Sequence, residues 1–148
     1  MKPGEERIYN PAFDEKLGVV LWDVFPIIDS EKLTVTFESK HSDWSQGIWL
    51  MSDRGLEVEG IRNKSFVLWY ETAPKHIEVI CFTKNGLLSI YNIWDRGFGE
   101  NSLSNSSCML VEELTNGRRF RCNDIGFETK FDKLIFRIER TPVRIENE

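Results

Sequence analysis

The stretch 108–140, CMLVEELTNGRRFRCNDIGFETKFDKLIFRIER, decides the fold. Asn116-Gly117 separates two strand-like runs, 109–113 and 119–122, and an Asn-Gly pair in that place predicts a β-hairpin. In the second run Phe120 and Cys122 share one face, while Arg119, Arg121 and Asn123 share the other. Further on, Leu134, Phe136 and Ile138 alternate with Ile135, Arg137 and Glu139. The stretch therefore predicts three strands with one face in a core.

Upstream the same grammar repeats. Leu33, Val35 and Phe37 alternate with Thr34, Thr36 and Glu38. The runs 47–51 (GIWLM), 65–70 (SFVLWY), 77–83 and 87–94 are short and apolar. The run 65–70 reads as a strand buried on both sides. Ser52-Asp53-Arg54-Gly55 predicts a hairpin into 56–59, and Lys84-Asn85-Gly86 a second one. The first apolar run, 17–25 (LGVVLWDVF), reads as a strand or a short helix, since periodicity does not separate them. About nine or ten short antiparallel strands, with no amphipathic helix, point to an all-β sandwich or jelly roll.

The chain of 148 residues predicts one domain, 17–140, preceded by a flexible arm at 1–16 and followed by a frayed tail at 141–148. A net charge of -5 argues against nucleic acid as a partner, with Arg118, Arg119 and Arg121 as the one dense basic candidate. Three cysteines, Cys81, Cys108 and Cys122, form no CxxC pair and read as small core hydrophobes. No apolar run reaches the length of a membrane span. The first residues lack an export signal, so the expected compartment is the cytoplasm; a secreted chain trimmed of its signal would read the same way.

Chemistry-bearing patterns are sparse. His41 and His76 lie in loops, and the pairs Glu57/Glu59 and Glu112/Glu113 read as solvated strand faces. Four tryptophans lie in or beside apolar runs, whereas Trp44 lies in a polar loop. The longest polar loop, 95–107, opens from Trp94-Asp95-Arg96. The candidate ligand-binding residues are therefore Asn92, Trp94, Asp95, Arg96, Asn123 and Asp124. Their amides and charges would fix a polar ligand while Trp94 supplies a stacking face. The competing reading for Asn123 is that it caps its own turn.

Glu112-Glu113-Leu114, Asn116-Gly117 and Phe131-Asp132-Lys133-Leu134-Ile135-Phe136 resemble the C-terminal signature of an extracellular bacterial β-sandwich domain of unknown function. That family carries an E-D-L segment, a Gly-rich turn and a D-x-D-[FY]-N-D-[LV]-[VI]-F strand, whose acids resemble calcium ligands. Here Glu128 stands at the first acid, Lys130 at the second, Phe131 at the aromatic, Asp132 at the Asn and Lys133 at the last Asp. Two lysines in an oxygen-ligand ring repel calcium, which leaves Asp124, Glu128 and Asp132 for a weakly held cation at most. No cofactor is expected. Together with Tyr91–Asp95 and Cys122–Asp124, these segments look like bacterial β-sandwich proteins of unknown function.

The leading expectation is a non-catalytic binding module for a polar ligand such as a glycan. A second is an interaction or immunity protein that meets a basic partner through its acidic surface. A third, an enzyme acting on carbohydrate, requires two carboxylates across a groove. Oligomeric state is not written in the sequence.

Overall fold

The computed structural model describes residues 4–97, 100–101, 108–124 and 130–141. Eleven strands form in chain order: β1 (Ile8–Tyr9), β2 (Val20–Pro26), β3 (Glu31–Lys40), β4 (Ser45–Val58), β5 (Ile61–Trp69), β6 (His76–Cys81), β7 (Leu87–Asp95), β8 (Glu100–Asn101), β9 (Cys108–Leu114), β10 (Gly117–Asn123) and β11 (Leu134–Arg140). No α-helix occurs among the described residues, so the all-β class is as expected. None of their helical segments is long and apolar enough to cross a membrane.

Every ladder is antiparallel, and the pairings return on themselves. The ring runs β3–β6–β4–β7–β2–β9–β10–β11 and back to β3, which makes a closed barrel of eight strands. Where the alternation reads as a sandwich of two sheets, the sheet is one closed surface. Inward-facing alternation is the same in both architectures, so only the non-local pairings distinguish them. The barrel interior holds Leu33, Val35, Ile48, Leu50, Leu88, Ile90, Phe120, Cys122, Phe136 and Ile138, all buried. Phe120 and Phe136 stack with centroids 4.7 Å apart.

Two expected hairpins are corrected. Residues 52–55 lie inside β4, at a register irregularity between Met51 and Leu56. The turn that follows is Glu59-Gly60, with φ of 52° and 80°, between paired Val58 and Ile61. Asn85-Gly86 likewise joins two strands that pair in succession with β4, β7 along 45–52 and β6 along 56–58. Gly55 (φ 97°) and Gly86 (φ 78°) supply the left-handed backbone that an irregularity needs as much as a hairpin does. The bend is fastened by Phe82, whose N–H donates to Gly55 O at 3.0 Å. It is fastened also by Asp53, which accepts from Thr83 Oγ1 and from the N–H groups of Lys84 and Asn85.

The 109–122 hairpin forms as expected, with Thr115-Asn116 as its two turn residues and Gly117 already paired with Leu114. A Cβ at Gly117 would overlap Ile138 O, so the position admits no side chain. The expected arm contributes to the fold: β1 pairs with β2, Asn10 N donates to Val19 O at 2.7 Å, and Phe13 packs on Phe131. Val19, Cys108 and Phe131 form a second small core outside the barrel wall. The tail beyond Thr141 lies outside the described residues.

One joint of the ring is unlike the rest. β2 meets β9 at a single pair, Val20 with Met109. Beyond it the carbonyls of Val24 and Pro26 turn away from β7, and guanidinium groups fill the gap. Arg118 Nη1 donates to Val24 O at 2.9 Å and Arg140 Nη2 to Pro26 O at 2.5 Å. Both cations lie over Phe25, at 5.2 and 4.5 Å. Beside them the fully buried Asp23 accepts from Arg7 Nε at 2.7 Å and Arg118 Nη1 at 3.0 Å, which closes this end of the barrel.

Candidate functional site

The opposite end of the barrel collects the polar residues singled out in the sequence. Ile48 and Leu50 point inward, so strand alternation also turns Gln46 inward, and Asn92 and Trp94 point inward from β7. Gln46, Asn92, Trp94, Asn123 and Asp124 are all buried there. Asn92 Nδ2 donates to Asn123 O at 2.7 Å, a strut from β7 to β10. Asp124 Oδ2 accepts from Ser42 Oγ and from Gln46 Nε2, each at 3.0 Å. Gln46 Nε2 also reaches Ser42 Oγ at 3.2 Å, and that oxygen accepts from Trp44 N. The layer is thus a hydrogen-bonded plug that fixes the 41–44 loop over the barrel mouth. Gln46 Oε1 and Asn92 Oδ1 are buried with no hydrogen-bond partner among the described residues.

Above the plug lies a half-exposed rim. Lys40 Nζ bridges Glu71 Oε2 at 2.6 Å and Trp44 O at 3.1 Å, while Gln46 N donates to Glu71 Oε1 at 3.2 Å. Arg96 Cζ stands over the Trp44 ring, 5.6 Å from its centroid. Asp95 Oδ1 accepts from Gly97 N at 2.7 Å and so caps the turn that leaves β7.

The six sequence candidates therefore divide. Asn92, Trp94, Asn123 and Asp124 join one buried layer, while Asp95 and Arg96 lie at its rim. The stacking role expected of Trp94 is corrected: the side chain is 2% exposed and packs in the barrel mouth. Trp44, which is partly buried, is the more exposed tryptophan at this end. Asn123 shares its face with Arg119 and Arg121, yet it is fully buried, because it lies opposite Cys108 in the second small core. Burial pushes the Cys108 thiol up to about 12, against hydrogen bonds from the Asn123 backbone and side chain. Ser42, Lys40, Gln46 and Glu71 escape a reading of the sequence. Only Gln46 leaves a trace there, as an amide at an inward position of an apolar strand.

Of the weak cation set, Glu128 lies outside the described residues, and Asp124 is engaged by Ser42 and Gln46. Among the described residues no three His, Cys, Asp or Glu side chains gather as a metal cluster. The acids weighed for acid–base chemistry are held elsewhere. Glu112 is ion-paired with Arg121 and Arg119, Glu113 is bidentate with Arg118 Nε, and Glu59 sits in the β4–β5 turn. The same pairs occupy the dense arginines. Arg119 and Arg137 also meet Glu38, at 2.8 and 3.4 Å. His76 Nδ1 lies 3.1 Å from Thr36 Oγ1, while His41 is exposed.

An aromatic row crosses the outside of the barrel. Trp22, Tyr91 and Trp49 stand on neighbouring strands, with Trp49 and Tyr91 stacked at 4.4 Å and Trp22 set 5.4–5.5 Å from both. Rings stacked on one another have spent their faces, so the row reads as packing. No family model matches the chain, and neither does any curated protein or solved structure.

Proposed function

We infer that the protein is a non-catalytic binding module that takes a polar ligand, a glycan in the first instance, at the Trp44 rim. The observation that carries this reading is the position of Trp44. Its partly buried ring, with Arg96 over one face, is anchored through its backbone to the buried Ser42–Gln46–Asp124 network. An aromatic face held by a rigid polar layer loses little entropy on binding, which favours recognition of a sugar ring flanked by hydroxyls. Lys40, Glu71 and Arg96 supply the donors and acceptors around it. Ser42 and Gln46, both neutral, donate to the network's carboxylate, an arrangement suited to holding a loop.

A glycan array, followed by titration calorimetry on any hit, tests the reading. Trp44→Ala is expected to abolish binding while leaving the thermal transition near that of the parent. Trp94→Ala is expected to destabilise by about 3–5 kcal/mol, as loss of a large core side chain does. A glycan bound equally well by Trp44→Ala, or no hit across the array, would count against the rim.

The second reading is an interaction protein, favoured by a different observation: β5 pairs with β4 alone among the described residues and leaves one edge open. Co-purification of a partner protein, with no glycan hit, supports that reading over the first.

A further inference from the structure

Among the described residues, β5 differs from every strand of the ring in having one unused side. The two-residue turn Glu59-Gly60, with positive φ at both positions, makes Val58 and Ile61 a bonded pair. Alternation from that pair turns the backbone N–H and C=O groups of Arg62 outward, while Lys64 lies at the register irregularity, opposite the 52–55 stretch of β4. At the far end Tyr70 N donates to Gln46 O at 2.8 Å, so the backbones of Val67 and Trp69 also face out. Arg62, Asn63 and Lys64 are exposed, and so are Ile61 at 60% and Val67 at 39%.

Cations gather along this edge. Arg54, Arg62, Lys64 and Lys84 line two adjoining shallow pockets of about 390 and 280 Å³. Arg62 is held in place: its Cζ lies 3.9 Å over the Phe82 ring, and its Nη2 donates to Arg54 O at 3.0 Å. Six arginines elsewhere meet carboxylates: Arg7, Arg118, Arg119, Arg121, Arg137 and Arg140. None of the four cations at this edge does so among the described residues. The two acids in the pockets are occupied, since Asp29 accepts from Thr83 N and Asp53 from Thr83, Lys84 and Asn85. Edge lysines often guard a sheet against aggregation, which accounts for Lys64. It does not account for Arg54 and Lys84, which other segments bring to the same surface, or for Arg62 fixed on Phe82.

We propose that β5 is a docking edge for an extended acidic peptide, which adds to the sheet as a further strand and sets carboxylates at alternate residues against Arg62 and Lys64. Backbone hydrogen bonds supply the pairing, and the period of two in a strand matches the spacing of the cations. A second copy of this chain is the poorer occupant, because it would bring the same cations to the shared edge. The site lies at the opposite end of β4 from the Trp44 rim and does not depend on it.

The probe is a fluorescent, end-capped peptide alternating Glu and Thr over the length of β5, followed by anisotropy at low ionic strength. Binding is expected for this peptide and not for its Lys-for-Glu counterpart. The double substitution Arg62→Glu/Lys64→Glu is expected to weaken binding by at least about tenfold, with the parent's thermal transition retained, as charge reversal at a docking edge does. Two N-methylated peptides separate strand addition from charge attraction, each blocked at one alternate set of amides. One is expected to lose binding and the other to keep it. Equal binding by both, displacement by inorganic sulfate at matched ionic strength, or no binding of the parent peptide would each overturn the proposal. If the double substitution unfolds the chain, Lys84→Glu and the methylated pair still decide the matter.

Discussion

Removing the Asp23 carboxylate tests how the barrel is closed. Its side chain is fully buried, while those of its partners Arg7 and Arg118 are 28% and 16% exposed. Deleting one member of a buried ion pair costs about 3–5 kcal/mol when the charge left behind stays dry. Here Arg7 reaches water, and Arg118 retains Glu113 and Val24 O, so Asp23→Ala is expected to cost about 2–4 kcal/mol. Arg7→Ala, which leaves Asp23 with Arg118, is expected to cost about 1 kcal/mol. Urea unfolding followed by tryptophan fluorescence measures both. With a slope of about 2 kcal/mol per molar, Asp23→Ala lowers the midpoint by about 1–2 M. The double variant Arg7→Ala/Asp23→Ala should be little worse than Asp23→Ala alone, because the two side chains share one interaction. A cost below about 1 kcal/mol for Asp23→Ala at unchanged slope, or full additivity in the double variant, would show that the triad does not hold this end together.

Two further outcomes follow from burial and charge. All three thiols are buried, and burial pushes Cys81 and Cys108 up to about 12 and Cys122 well above its ordinary value. A thiol reagent at pH 8 is therefore expected to find no thiol in the native protein and three in denaturant; rapid native labelling would contradict the packing. The Glu112 carboxyl is held below its ordinary 4.5, chiefly by the hydrogen bond from Arg121 against a smaller desolvation. At Asp53 desolvation is the largest single influence, but the hydrogen bonds from Thr83, Lys84 and Asn85 together outweigh it and hold the group below 3.8. A depressed folded-state value contributes stability above the unfolded value that disappears as pH falls through the folded one. Stability is thus expected to decline from about pH 4.5 downward, and Glu112→Gln to flatten part of that slope in urea midpoints measured between pH 6 and 3.

The parts of the fold that could be read in the sequence are those with a clean period of two. Phe120 and Cys122, Leu33 through Phe37, and Leu134 through Ile138 announce their inner face, and the structure places them inside. What escapes is set by partners distant in sequence. Gly55 and Asn85-Gly86 satisfy the chemistry of a hairpin turn and of a strand irregularity equally well, and the choice falls to β4, which pairs with β7 and β6 in turn. The run 65–70 is apolar enough to suggest burial on both sides, yet among the described residues β5 pairs with β4 alone and Val67 is exposed. The candidate site was legible as a neighbourhood but not as a division of roles. Asn92 and Asp124 do assemble, but as the inner layer, which Asn123 joins through its backbone carbonyl while its side chain meets Cys108. Inward alternation along β7 sequesters Trp94 and leaves the partly buried Trp44 as the more exposed ring.

A closed barrel normally has its circumference dictated by whole numbers: the count of strands and the stagger accumulated around the ring must agree before the last ladder can form. This protein has an exemption. Between β2 and the neighbouring wall, beyond Val20 and Met109, the joint is made by Arg118 and Arg140 reaching to the carbonyls of Val24 and Pro26. A flexible guanidinium arm spans a range of separations, whereas a ladder fixes one. The ring therefore need not be commensurate with itself, and β-bulges or an added residue elsewhere in the wall can be absorbed at this one clasp without refitting every register.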